Sequence, residues 1–163
     1  MASSLDAVLH DSLRRFTADV FKSAWRGRER EAISLYAFGY LTIECHRGAV
    51  LEHASQIGIE VAVPQLPGAK RKRQVCKDLV TWPRPMMTCR NKDGAPVIHP
   101  LAVLQWKTGT APVANDDFRW LSGYSRRNPG VAAYAVALNL WGRPFRLALT
   151  KFHRGKPRQR WLM

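Results

Sequence analysis

The feature that most constrains this chain is a change of hydrophobic period at Gly58. Before it, Leu5, Val8, Leu9, Leu13, Phe16, Val20 and Phe21 recur at three- and four-residue steps, the stripe of an amphipathic helix ending near Trp25-Arg26-Gly27. A second stripe starts at Glu29, carries Ile33, Tyr36, Ala37, Tyr40 and Leu41, and runs to about Ile43. Residues 46–56 read as another helix or helical turn, closed by Gly58. Beyond Gly58 the chain reads as short strands: Ile59 to Val63 stopped by Pro64, Gln74 to Trp82 stopped by Pro83 and Pro85, and Leu101 to Lys107. Two more follow, Val131 to Trp141 and Phe145 to Phe152. One helix interrupts them at 115–127, capped by Asn115 or Asp116, carrying Phe118, Leu121 and Tyr124, and ending before Asn128-Pro129-Gly130. The segment 83–100 has four prolines and an Asn91-Lys92-Asp93-Gly94 turn signal, so it reads as a long loop or irregular hairpin.

This order predicts an α/β fold, a mixed central sheet of about five strands flanked by helices. A single domain is expected over 1–163, with a helical part at 1–57, a sheet core at 58–152 and a basic tail at 153–163. At 163 residues such a fold buries enough surface to need neither disulfide nor metal for its core.

Charge points to the partner. Lys and Arg total 26 against 12 acids, a formal net charge of +14. No acid follows Asp117, while ten bases do, and a second run is Lys70-Arg71-Lys72-Arg73. Two basic regions on one small chain suit a polyanion, and nucleic acid is the expected one. The phosphate contacts expected are Lys70, Arg71, Lys72, Arg73, Arg119, Arg126, Arg127, Lys151, Arg154, Lys156, Arg158 and Arg160. Neither basic run carries an apolar helical face for a lipid surface. The longest stretch free of Asp, Glu, Lys and Arg, Asn128 to Gly142, is fifteen residues and short of a membrane span. With no basic-then-apolar leader at its start, the chain is expected in the cytoplasm.

Several chemistries drop out on spacing. Cys45, Cys76 and Cys89 sit too far apart for a zinc pattern, so they read as free thiols. Lys107-Thr108-Gly109 has no Gly-rich turn before it, and no Ser nucleophile motif is present.

What remains is a polar pair of strands. Asp78 lies inside the apolar run Lys77-Asp78-Leu79-Val80, the only acid between Glu60 and Asp93. Gln105 and Lys107 are two apart and share a strand face, with Trp106 on the other. Such a face is either a small polar site or an Asp78–Lys107 salt bridge at a sheet edge, since unpaired charge in a dry core is costly. As a site, Asp78 supplies a carboxylate and Gln105 an amide oxygen for Mg²⁺ or Mn²⁺, and Lys107 steadies the attacking water or the developing phosphate charge.

An Asp on one strand followed by Gln105-x-Lys107 on the next resembles the restriction-endonuclease-like PD-(D/E)xK nuclease superfamily, in the Gln-bearing form of its Mrr-like members. The resemblance covers most of the chain and implies a core of helix, three-stranded meander, helix and strand. It also implies a Glu on the first core helix that completes the metal site. Glu31 is the favoured counterpart, with Glu29 the alternative, so the implied metal set is Asp78, Gln105 and Glu31. No Pro precedes Asp78, Gln105 replaces the usual acid, and the 27-residue step between them implies an inserted loop. The function implied is a Mg²⁺-dependent DNA endonuclease, a homodimer where both strands are cut. The alternatives are a catalytically inactive DNA-binding relative and a basic structural or assembly protein of a nucleoprotein complex.

Overall fold

The computed structural model describes residues 4–68, 72–109, 113–142 and 144–163, with Gln159 described by its backbone alone. Helix α1 spans Leu5–Lys22; the Ser4 side chain caps it by accepting from the Ala7 N–H (3.2 Å). Val8, Leu9, Leu13, Phe16 and Val20 form its buried stripe, as the spacing predicts. Helix α2 spans Glu29–Tyr36 and continues as a π-turn over Ala37–Leu41 and a short 3₁₀ turn over Thr42–Glu44. Residues 46–56 hold only a 3₁₀ turn at Ala54–Gln56, not a helix.

Six strands follow in one sheet, paired in sequence order: β1 Ile57–Pro64, β2 Gln74–Thr81, β3 Ala102–Thr108, β4 Ala132–Asn139, β5 Arg146–His153 and β6 Lys156–Leu162. Helix α3, Asn115–Arg127, crosses from β3 to β4, and this pair alone is parallel. The class is α/β with a mixed sheet flanked by helices, one strand more than expected. That strand is the tail. Trp161 pairs with Leu149 and packs partly buried against the core near His10, so alternate bases project outward.

Two cores sandwich the sheet. Under α1 and α2 lie Leu79, Leu104, Trp106, Tyr134, Val136, Leu147 and Leu149. Under α3 lie Val63, Val80, Val103, Ala133, Ala135 and Phe152 with Leu121 and Tyr124. Strict alternation holds in β3 and β4 but breaks in β1 and β2. Ile57 and Ile59 pack on the α1/α2 side, whereas Val61 and Val63 pack on the α3 side. Glu60 between them has φ 51°, and the β1–β2 ladder skips the Glu60–Asp78 step. That left-handed residue turns the strand over, and the Glu60 side chain leaves the sheet to pair with Arg30 of α2 (2.7 Å). In β2 the same reversal puts Leu79 on one side and Val75 and Lys77 on the other.

Candidate active site

The site grows out of that reversal. The β2–β3 ladder runs only over Thr81–Ala102, Val80–Val103 and Leu79–Leu104, and the strands then part. Asp78 fills the gap with its side chain. Its Oδ2 accepts from the Trp106 backbone N–H and from Gln105 Nε2, both at 2.6 Å. Among the described residues no hydrogen bond reaches its Oδ1. Burial pushes the Asp78 carboxyl above the ordinary carboxylate range; the Trp106 N–H opposes this, and the negative charge of Glu29 adds to it.

Gln105 is held at both ends. Its Nε2 goes to Asp78, and its Oε1 accepts from Lys77 Nζ at 3.2 Å. Lys77 is only 5% exposed, an extreme position for an ammonium. Its Nζ also lies 4.0 Å over the Trp120 ring and 3.8 Å from Asp117, both on α3. Burial lowers the Lys77 pKa, with Asp117 and Asp78 partly opposing the shift. Sequence reasoning gave Lys77 no role, because strict alternation turns it away from Gln105; the reversal at Glu60 brings it round. Asp117, in the first turn of α3, faces Lys77.

Lys107 does not pair with Asp78. Its Nζ meets Glu29 Oε2 at 3.3 Å, and the same Glu29 oxygen accepts the Thr108 N–H at 3.0 Å. Glu29 therefore ties the start of α2 to the end of β3, and its charge reaches Asp78. Glu31, the favoured acid, is placed elsewhere: it is exposed, and its Oε2 accepts the Arg28 backbone N–H at 2.5 Å at the start of α2. Of the expected residues, Asp78, Gln105, Lys107 and Glu29 come together and Glu31 does not.

Could these groups hold a hard cation? Among the described residues no three His, Cys, Asp or Glu side chains converge. Mg²⁺ asks for less, one or two carboxylates with water and phosphate completing the shell. Asp78 fits: its carboxylate is half-buried, disfavoured by its surroundings and, among the described residues, without a hydrogen bond at Oδ1. Glu29 is the second carboxylate at hand. Gln105 does not fit as it stands, because its oxygen is turned to Lys77.

The basic residues divide. Lys72, Arg73, Arg126, Arg127, Arg154, Lys156, Arg158 and Arg160 are exposed; Arg119 is exposed and paired with Asp116 (3.5 Å). Lys151 is half-buried in an ion pair with Asp6 and is not free for phosphate, a correction to the sequence reading. Lys70 and Arg71 lie outside the described residues. No described helix is long and apolar enough to cross a membrane.

Comparison with protein-family models, with curated proteins and with solved structures found no match.

Proposed function

We propose that this chain is a Mg²⁺- or Mn²⁺-dependent DNA endonuclease, acting in the cytoplasm and as a homodimer where it cuts both strands. One observation carries the reading: β2 and β3 part at a half-buried, unfavourably charged Asp78, beside Gln105 and Lys107 of β3, on a chain of net charge +14. Perturbed carboxyls of this kind gather at functional sites. The element order also agrees with the core implied by the PD-(D/E)xK resemblance: helix, three-stranded meander, helix, parallel strand. Asp78 and Glu29 would hold the cation, which when bound neutralises phosphate charge and activates water. Lys107 donates to the phosphate oxygen on which charge develops, leaving Glu29 to do so. Exposed Lys and Arg seat the backbone on either side. Supercoiled plasmid incubated with Mg²⁺ should be nicked or linearised, and with EDTA left intact; intact plasmid in both would refute the reading.

A second reading has its own support. The Gln105 oxygen is occupied by Lys77, a cation already resident in the site. A chain that binds DNA in EDTA yet never cuts would be an inactive relative in which Lys77 replaces the metal.

A further inference from the structure

Across the sheet from the candidate site lies a cavity of about 460 Å³ on the α3 side. Its floor is Ala135, Ala137 and Ala148, its wall Phe118, and its far edge Arg158 and Arg160. The strand register joins it to the site: Gln105 pairs with Ala135, Ala135 with Thr150, and Thr150 with Arg160. Three strand spacings separate Gln105 from Arg160, about 14 Å. The three alanines in the middle leave a trough where larger side chains would fill the face. A register shift between Lys151 and Phe152 marks an irregularity in the β5–β6 pair, and beyond it the neighbours Pro157 and Arg158 both line the cavity.

The lining says what fits. Paired DNA hides its base faces in the stack and shows phosphates, sugars and base edges. An apolar trough with an aromatic wall has little to offer those groups. An unpaired nucleotide presents a base face to such a wall and a phosphate to the arginines at its edge. We infer that this trough is a subsite for an unpaired nucleotide, so that the substrate is DNA with a single-stranded tail or branch beside the cleaved phosphate. The inference rests on the nuclease reading and adds the substrate class to it.

Ala148 points into the trough and belongs to neither core, so Ala148→Leu fills it without touching Asp78 or Lys107. The assay is fluorescence anisotropy in EDTA, with a blunt duplex and the same duplex carrying a single-stranded tail. The wild-type chain should bind the tailed duplex about tenfold tighter, the worth of one stacked base. Ala148→Leu should abolish that preference and change blunt-duplex affinity less than about twofold. A second variant, Arg158→Ser with Arg160→Ser, serves where Ala148→Leu melts below wild type; it should weaken the tailed duplex more than the blunt one. Equal wild-type binding of both duplexes, a full preference kept by a normally melting Ala148→Leu, or equal losses for both duplexes in the double variant would overturn the subsite. The nuclease reading survives those outcomes if wild-type chain still cuts plasmid with Mg²⁺. Absence of both DNA binding and cleavage sinks the two together.

Discussion

Gln105→Glu tests whether the site is built for a cation. In the structure Gln105 Nε2 donates to Asp78 at 2.6 Å, while Oε1 accepts from Lys77 at 3.2 Å. A glutamate keeps the Lys77 contact and strengthens it. Toward Asp78 it replaces a donor by a second anion. The lost bond to a charged acceptor is worth about 1.5–3 kcal/mol, and the better Lys77 pair returns part of it, so the metal-free chain should lose about 1–2 kcal/mol. For a chain of this size that lowers Tm by roughly 2–8 °C. A cation reverses the sign, because two carboxylates that repel each other become two ligands. Mg²⁺ stabilises each form according to its own Kd, so erasing a deficit of about 1–2 kcal/mol needs the variant to bind it about 5–30-fold tighter than wild type. Thermal melts in EDTA and across a Mg²⁺ titration decide it. The variant should melt below wild type in EDTA and reach or pass it at high Mg²⁺, with cleavage retained. A deficit that stays constant at every Mg²⁺ concentration would mean residue 105 lies outside the metal shell; no Mg²⁺ stabilisation of either form would bring down the metal reading itself.

Asp78→Asn should abolish cleavage while DNA affinity in EDTA stays equal or rises slightly. It should also melt no lower than wild type at pH 8: a carboxyl held above its ordinary range subtracts stability as pH rises through that window, and asparagine carries no such charge. The Tm difference should shrink as pH falls below the ordinary Asp value, where Asp78 is protonated in both states; a clear Tm loss at pH 8 would mark a structural role. Lys107→Met keeps the stem and should slow cleavage about 10²-fold or more. Its ion pair with Glu29 is partly exposed, so stability should fall by less than about 1 kcal/mol; cleavage tracking only the folded fraction would refute the role. Lys77→Met removes an ammonium that its surroundings already disfavour and frees the Gln105 oxygen. Calorimetric titration should then show tighter Mg²⁺ binding, and weaker binding would mean Lys77 supports the metal.

The sequence made the elements legible wherever period and punctuation agreed. The 115–127 helix is found at those bounds because Asn128-Pro129-Gly130 stops it and Leu121 and Tyr124 set its face. The tail was misread because Lys156, Arg158 and Arg160 look like a solvated run; their period of two is the strand signal, and Trp161 is what docks it. Asp78, Gln105 and Lys107 were legible as charged or polar groups in apolar strands. Lys77 was just as visible but carried the wrong parity. No local pattern announces that Glu60 takes φ 51°, and that one dihedral, on a strand fourteen or more residues away in sequence, decides which face Lys77 joins. The choice between Glu29 and Glu31 failed for a related reason. Both sit in the first turn of α2, and the Arg28 backbone N–H claims Glu31, which leaves Glu29 to reach β3.

The same geometry accounts for a glutamine where an acid is usual. Among the described residues, three carboxylates, Asp78, Glu29 and Asp117, and two ammoniums, Lys77 and Lys107, stand around the site. Fully ionised, they leave one negative charge. On the proposed reading a divalent cation and one phosphodiester anion enter together and bring the sum to zero, the condition under which a partly desolvated site is least costly. An acid at 105 would grip the cation more tightly but leave the site with cation and phosphate both bound one charge too negative, as long as Lys77 stays protonated and buried against Trp120. A site without a second lysine has no such partner for a neutral amide. Gln105 and Lys77 are therefore one device: the amide holds the buried ammonium with its oxygen and the Asp78 carboxylate with its nitrogen, and neither residue is explained without the other.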